Sequence, residues 1–103
     1  MPAELSVIEK AAVVVGGGFW KTHAAPGIRS VLIADGPHGL RKQEGGGDHL
    51  GLGTSTPATC FPPAVALAST FNAELVERVG VALGKEARAE DVTVLLGPGV
   101  NIK

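Results

Sequence analysis

Two short runs of unbroken apolar residues, each closed by a glycine–proline turn, limit what this chain can become. Val31, Leu32 and Ile33 lie within the segment Ser30 to Ala34 and run into Asp35-Gly36-Pro37, while Val92 to Leu96 (VTVLL) runs into Gly97-Pro98-Gly99. Apolar stretches of this length without polar alternation suit strands buried on both faces, the pattern of a parallel sheet. Parallel strands need a long crossover between them, and helical patterns occupy that interval. Asn72 is a good N-cap, Glu74 falls in the first turn, and Leu75, Val79 and Leu83 recur every fourth position, which predicts a helix to about Ala89. Glu74 and Arg78 are spaced to pair on its exposed side. Pro63 can open a shorter helical stretch through Ala64 to Ser69, because proline is tolerated at a helix's first position.

Upstream of the first strand, Ser6 and Glu9 form the SxxE capping box, and Val7, Ile8, Ala11, Ala12 and Val15 recur at helical spacing. A helix from about Leu5 to Val15 is expected, stopped by Gly16, Gly17 and Gly18. Each of these costs a helix roughly 1 kcal/mol relative to alanine. A loop through Phe19, Trp20 and Pro26 leads to the first strand. From Leu40 to Pro63 glycine and polar residues dominate, and a connection so long and irregular is expected to be functional. The order helix, strand, long loop, helices, strand implies a parallel sheet with right-handed crossovers. Both strands end in the turns named above, and the carboxyl ends of parallel strands are where α/β folds place their sites.

With 103 residues, 45% of them hydrophobic and 18% charged, the chain is expected to form one globular unit with one core. Folding at this size hides roughly 60–70% of the surface the unfolded chain exposes, so a missing element would matter. Two strands cannot close a barrel, and the sequence stops at Asn101-Ile102-Lys103 directly after the second, so it reads as truncated. A net charge of −1 without a basic block gives no footprint for nucleic acid or an anionic membrane. The opening MPAELSVIEK lacks a basic n-region and a cleavage site, and no apolar run approaches the about 18 residues of a membrane span. A cytoplasmic protein is expected.

Asp35 is the carboxylate placed where chemistry or ligand binding is expected, with Gly36 after it to let a ligand approach the backbone. It serves equally as a turn former ahead of Gly-Pro, and the residues alone leave both roles open. His38 and Arg41 follow in the same loop. Their donors could line the rim of a sugar or carboxylate site, although a solvated His38 and a structural ion pair for Arg41 are the simpler readings. Trp20 with Phe19 could form a wall on which a sugar ring stacks, with core packing the favoured alternative.

Cys60, the single cysteine, sits in the apolar context ATCFPPA and is expected to pack as a small hydrophobe. Together with His23, His38 and His49 it shows no metal-ligand spacing, so no metal is expected. The run AAVVVGGGFWKT imitates a phosphate loop, but Val15 and Trp20 stand where glycines are required. GLGTST lacks a third glycine and a preceding strand. No nucleotide or other cofactor is expected. The carboxylates Glu4, Glu9, Glu74, Glu77, Glu86, Glu90 and Asp91 belong to helices or helix ends and read as solvated, and Glu44 and Asp48 in the glycine-rich loop receive no assignment.

Read together, GIRSVLIADGPHGLRKQ, ATCFPPAVALASTFNAELVERVGVALGKEARAEDVTVLLGPGVNIK and, more loosely, EKAAVVVGGGFWKT resemble the N-terminal stretch of family 3 β-glucosidases. DGPHGLR, ATCFP followed by ALA, and LLGPGVNI, in this order and spacing, carry the resemblance. It implies the N-terminal portion of a (β/α)8 barrel, ending here after about two strands, in an enzyme that continues into an α/β sandwich and hydrolyses β-linked glucosides with retention. It implies for Asp35 a sugar-binding role in the −1 subsite, through hydroxyls of the non-reducing sugar, and for His38 and Arg41 a loop-shaping role. Retention needs a nucleophile and an acid/base about 5–5.5 Å apart. Both family positions, a later barrel aspartate and a second-domain glutamate, fall beyond Lys103. The opening LSVIEKAAVVVGGG is richer in alanine and valine than the family's LTLEEK-type start.

The sequence thus predicts residues 1–103 to be part of a β-glucosidase barrel, binding a β-glucoside or short β-linked oligosaccharide without independent turnover. The alternative is a free-standing sugar-binding or interaction module that self-associates through exposed strands.

Overall fold

The computed structural model describes residues 4–44 and 53–101, so Asp48 and His49 lie outside the described residues. Helix α1 covers Val7–Val14, strand β1 Leu32–Asp35, helix α2 Ala64–Ala68, helix α3 Ala73–Ala89 and strand β2 Val92–Leu96. The capping box at α1 forms in full. The Ser6 N–H donates to Glu9 Oε2 at 2.7 Å, and the Glu9 N–H donates to Ser6 Oγ at 3.3 Å. Val15 leaves the helix with extended backbone just before the glycines. At α3 the Leu75 N–H donates to Asn72 Oδ1 at 3.0 Å, Glu74 in the first turn and Arg88 in the last complement the helix dipole, and Asp91 beyond the end adopts a left-handed φ of 57°. Pro63 stands one place earlier than expected. It caps α2 with extended backbone instead of occupying its first turn.

β1 and β2 pair in parallel, Asp35 opposite Leu96 and Leu32 opposite Val92, with a register shift after Leu32. Ala34, Leu40, Ala87 and Val92 are buried, and Leu32 and Leu95 pack partly against them. The core therefore lies between the sheet and the last turn of α3, under Leu40 of the loop that follows β1. Val94 and Leu96 remain open, so the strands are not buried on both faces as their apolar runs predict. Within this chain α3 covers one side of β2, and nothing among the described residues covers the other. The radius of gyration, 16.6 Å, exceeds the about 13 Å of a compact chain of this length.

The segment expected as a loop before β1 is a hairpin. The Ile33 N–H donates to the Trp20 carbonyl at 2.8 Å and the Thr22 N–H to Val31 at 3.2 Å, antiparallel to β1. Ala25 and Ile28 exchange backbone bonds around Pro26-Gly27, where Gly27 supplies the positive φ of 77° that a proline–glycine turn requires. Farther on, the arms of the Leu40–Pro63 connection also approach in antiparallel fashion, with the Thr56 N–H donating to the Lys42 carbonyl and the Glu44 N–H to the Thr54 carbonyl. That connection is tied to α3. Lys42 Nζ donates to the Glu90 carbonyl at 2.9 Å and to Glu90 Oε2 at 3.0 Å. A lysine at this position also satisfies a carbonyl at the helix's negative end. Glu90 is thus engaged where a solvated role is expected, and among the described residues Glu74 and Arg78 form no ion pair.

Candidate functional site

The carboxyl ends of the two strands form one surface because the turns after them are zipped together through backbone. The Gly36 N–H donates to the Leu96 carbonyl at 3.1 Å, and the Gly99 N–H donates to the Pro37 carbonyl at 3.0 Å. A Cβ on Gly97 would overlap the Gly36 carbonyl oxygen, and one on Gly36 would overlap the Leu95 side chain. Both turns approach so closely that no larger residue fits at either position. Gly36 is buried, and what approaches it is Leu95 of β2, so the expected opening for a ligand at this glycine is filled.

Asp35 is half-buried at the end of β1. Its carbonyl accepts the Arg41 N–H at 2.8 Å, which closes the loop Asp35–Arg41 on itself. The turn-forming hydrogen bonds therefore come from backbone groups. Among the described residues none reaches the Asp35 carboxylate, so the side chain does not make the Asx bond that a turn-forming role would use. His38 and Arg41 are exposed on the same loop. His38 Cε1 and Asn101 Oδ1 both lie beside Gly99, at 3.5 and 3.6 Å from where its Cβ would stand. Pro37, His38 and Asn101 therefore meet around Gly99 on one small rim, and Asp35 stands at the end of β1 at the base of the same loop.

Trp20 belongs to a neighbouring strand segment. Its backbone joins Ile33, two residues before Asp35, and its ring is tilted 56° against Phe19 with centroids 6.3 Å apart. Trp20 is half-buried and Phe19 exposed, and neither enters the core that the packing reading assigned them. Their hairpin pairs with the margin of β1 opposite the one that β2 occupies. Cys60, expected to pack as a small hydrophobe, is likewise exposed, on a segment without regular secondary structure.

The floor of the rim comes from residues that spacing does not single out. The Phe61 N–H donates to the His38 carbonyl at 2.8 Å, and a Cβ on Gly39, at φ 147°, would overlap the Thr59 carbonyl oxygen. Thr59 is held in turn by α3. Glu86 Oε1 accepts the Thr59 N–H at 3.0 Å and its hydroxyl at 2.6 Å. Glu86 is therefore not a solvated helix-face residue.

Residues 37–103 match the family model described as the glycosyl hydrolase family 3 N-terminal domain. The chain is 50% identical over 102 residues to thermostable β-glucosidase B of Acetivibrio thermocellus, and 48% identical over 103 residues to an exo-α-(1→6)-L-arabinopyranosidase of Bifidobacterium longum. Each alignment covers 97% of this chain and 14% of the relative. The crystal structure of a Bifidobacterium adolescentis GH3 β-glucosidase superposes with a TM-score of 0.80 at 46% identity, over 97% of this chain and 14% of that one. The chain thus spans about a seventh of the length of the proteins it matches.

Proposed function

The chain belongs to glycosyl hydrolase family 3, and on that footing we propose that it supplies part of the glycone-binding surface of a retaining β-glucosidase, with Asp35 as the sugar ligand. The observation that carries this reading is the Asp35 carboxylate, half-buried at a strand's carboxyl end and left without a hydrogen bond among the described residues while backbone groups close its turn. A carboxylate so placed accepts from sugar hydroxyls, and bonds to a charged acceptor are about twice as strong as neutral ones. His38 and Arg41 shape the same loop, and Trp20 stands at the flank of β1 as a secondary candidate for ring contact.

β1 and β2 are, in this reading, adjacent strands of a (β/α)8-like barrel. Their parallel pairing, the helical crossover and the rim at their carboxyl ends support it. The segments Asp35–Arg41 and Gly97–Asn101 hold one carboxylate between them. Retaining hydrolysis needs two, so nucleophile and acid/base are assigned to other parts of the enzyme.

The 103-residue chain on its own should show no turnover of an aryl β-glucoside. Hydrolysis that survives purification and disappears in Asp35→Ala would overturn the division of labour proposed here. The names of the relatives, a β-glucosidase and an arabinopyranosidase at nearly equal identity, make comparison of glucosides with arabinopyranosides the informative second assay for the complete enzyme.

A further inference from the structure

We infer that Thr59 and Glu86 are positioning residues for the glycone rim, joined in a brace that transmits the placement of α3 to the His38–Gly39 corner of the Asp35 loop. The inference rests on the sugar-binding reading of that rim for its functional meaning, while the brace itself is a matter of geometry.

The loop from Asp35 to Arg41 is fixed at its base by the Arg41 N–H on the Asp35 carbonyl, and by Leu40 in the core. Its outer corner, His38-Gly39, has no such internal tie. It rests on the segment Thr59–Phe61, through the Phe61 N–H on the His38 carbonyl at 2.8 Å and the close approach of the Thr59 carbonyl to Gly39. That segment has no regular secondary structure of its own. Among the described residues its tie to α3 is one carboxylate oxygen, Glu86 Oε1, receiving both the N–H and the hydroxyl of Thr59 across 27 positions of sequence. The second oxygen, Glu86 Oε2, is shielded from solvent and has no hydrogen-bond partner among the described residues. An oxygen out of reach of solvent and without a partner costs stability, so stability alone does not account for a half-exposed glutamate turned toward Thr59. Two donors of one residue converging on one acceptor oxygen, in contrast, fix direction as well as distance.

The test uses the full 103-residue chain in solution, with the His38 Cε1–H resonance as the reporter of the corner and the Val92–Leu96 amides as reporters of the fold. Thr59→Val and Glu86→Ala should displace the His38 resonance and leave the β2 amides in place. Thr59→Ser, which keeps the hydroxyl, and Glu86→Gln, which keeps an acceptor oxygen, should restore it. Titration with methyl β-D-glucopyranoside should give binding about fivefold weaker in the disrupted pair than in the restoring pair, the effect of roughly one hydrogen bond's worth of misplacement.

The inference is overturned if the His38 resonance stays put in Thr59→Val and Glu86→Ala. It is equally overturned if that resonance moves together with the β2 amides in every variant, or if the Thr59 and Phe61 amides of the unsubstituted chain exchange freely with solvent. If the brace behaves as described and the glucoside perturbs no resonance in any variant, the glycone reading fails and the brace stands.

Discussion

Helix α1 and the α3–β2 unit are equally well specified by local signals, and they end in opposite circumstances. α1 has a complete capping box and an apolar stripe, yet Val7 and Ile8 are 81% exposed and Val14 84%, and no residue of the helix is buried. α3 has one N-cap bond and an ordinary stripe, but its last turn places Ala87 in the core against Val92. Capping satisfies groups that belong to the helix itself, whereas burial requires another element at the right place. An isolated eight-residue helix is marginal in water whatever its caps, because so few propagation steps offset nucleation. The two regions therefore depend on different interactions, and perturbing each should separate them.

The largest difference is expected in the core. Leu40→Ala removes a side chain that is 6% exposed, and should destabilise the β1–α3–β2 unit by about 2–4 kcal/mol in urea unfolding. Ile8→Ser in α1 should change the same unfolding free energy by less than about 0.5 kcal/mol. An equal effect at both sites would show that α1 is packed after all.

An intermediate effect belongs to the capping box. Ser6→Ala should cost α1 about 1 kcal/mol, seen as lost helicity without change in the protection of β2 amides. Acid should act on the same interaction. The Ser6 hydroxyl, and secondarily its N–H, hold the Glu9 carboxyl below the ordinary glutamate value of 4.5. A carboxyl whose folded value is depressed stabilises the helix fully above the unfolded value, and that contribution is lost as pH falls through the lower folded one. Helicity from α1 should therefore fall on acidification below about 4.5, and Glu9→Gln should flatten that part of the titration.

The smallest effect concerns how α3 ends. Asp91 holds a left-handed φ of 57°, a conformation aspartate tolerates and glycine adopts without steric penalty. Asp91→Gly should raise the unfolding free energy slightly, by roughly 0.5 kcal/mol in urea titration, after the greater freedom of glycine in the unfolded chain is set against the relief.

Elements were readable from sequence where their determinants are close together in it. Val92–Leu96, the Asn72 cap and the Ser6–Glu9 box all stand where the residue pattern predicts, and the position of Asp35 at a strand's carboxyl end follows from the same local reading. The hairpin before β1 carried a legible sign in Pro26-Gly27, but its strands are single bridges flanked by Gly16–Gly18 and lack any alternating pattern. The ties from Lys42 to Glu90 and from Thr59 to Glu86 span 48 and 27 residues, and no spacing rule connects partners so far apart. Helical glutamates look alike in sequence. What distinguishes Glu86 and Glu90 is that the connection after β1 folds back across their face of α3. Gly36 illustrates a related limit: its need for a missing side chain is plain, while the identity of the neighbour, Leu95, depends on strand pairing.

The hairpin that flanks β1 has a consequence for how the sheet can be extended. Antiparallel pairing with Trp20–Thr22 occupies one margin of β1, β2 occupies the other, and the chain folds back onto Gly16 and Gly17, where a Cβ on Gly17 would press into the Thr22 carbonyl. Among the described residues β2 pairs on a single side. In the language of polymer chemistry β2 is the living end: the next strand of the proposed barrel is expected to add there, while the short bridges to Lys21 hold the other margin of β1 within this chain.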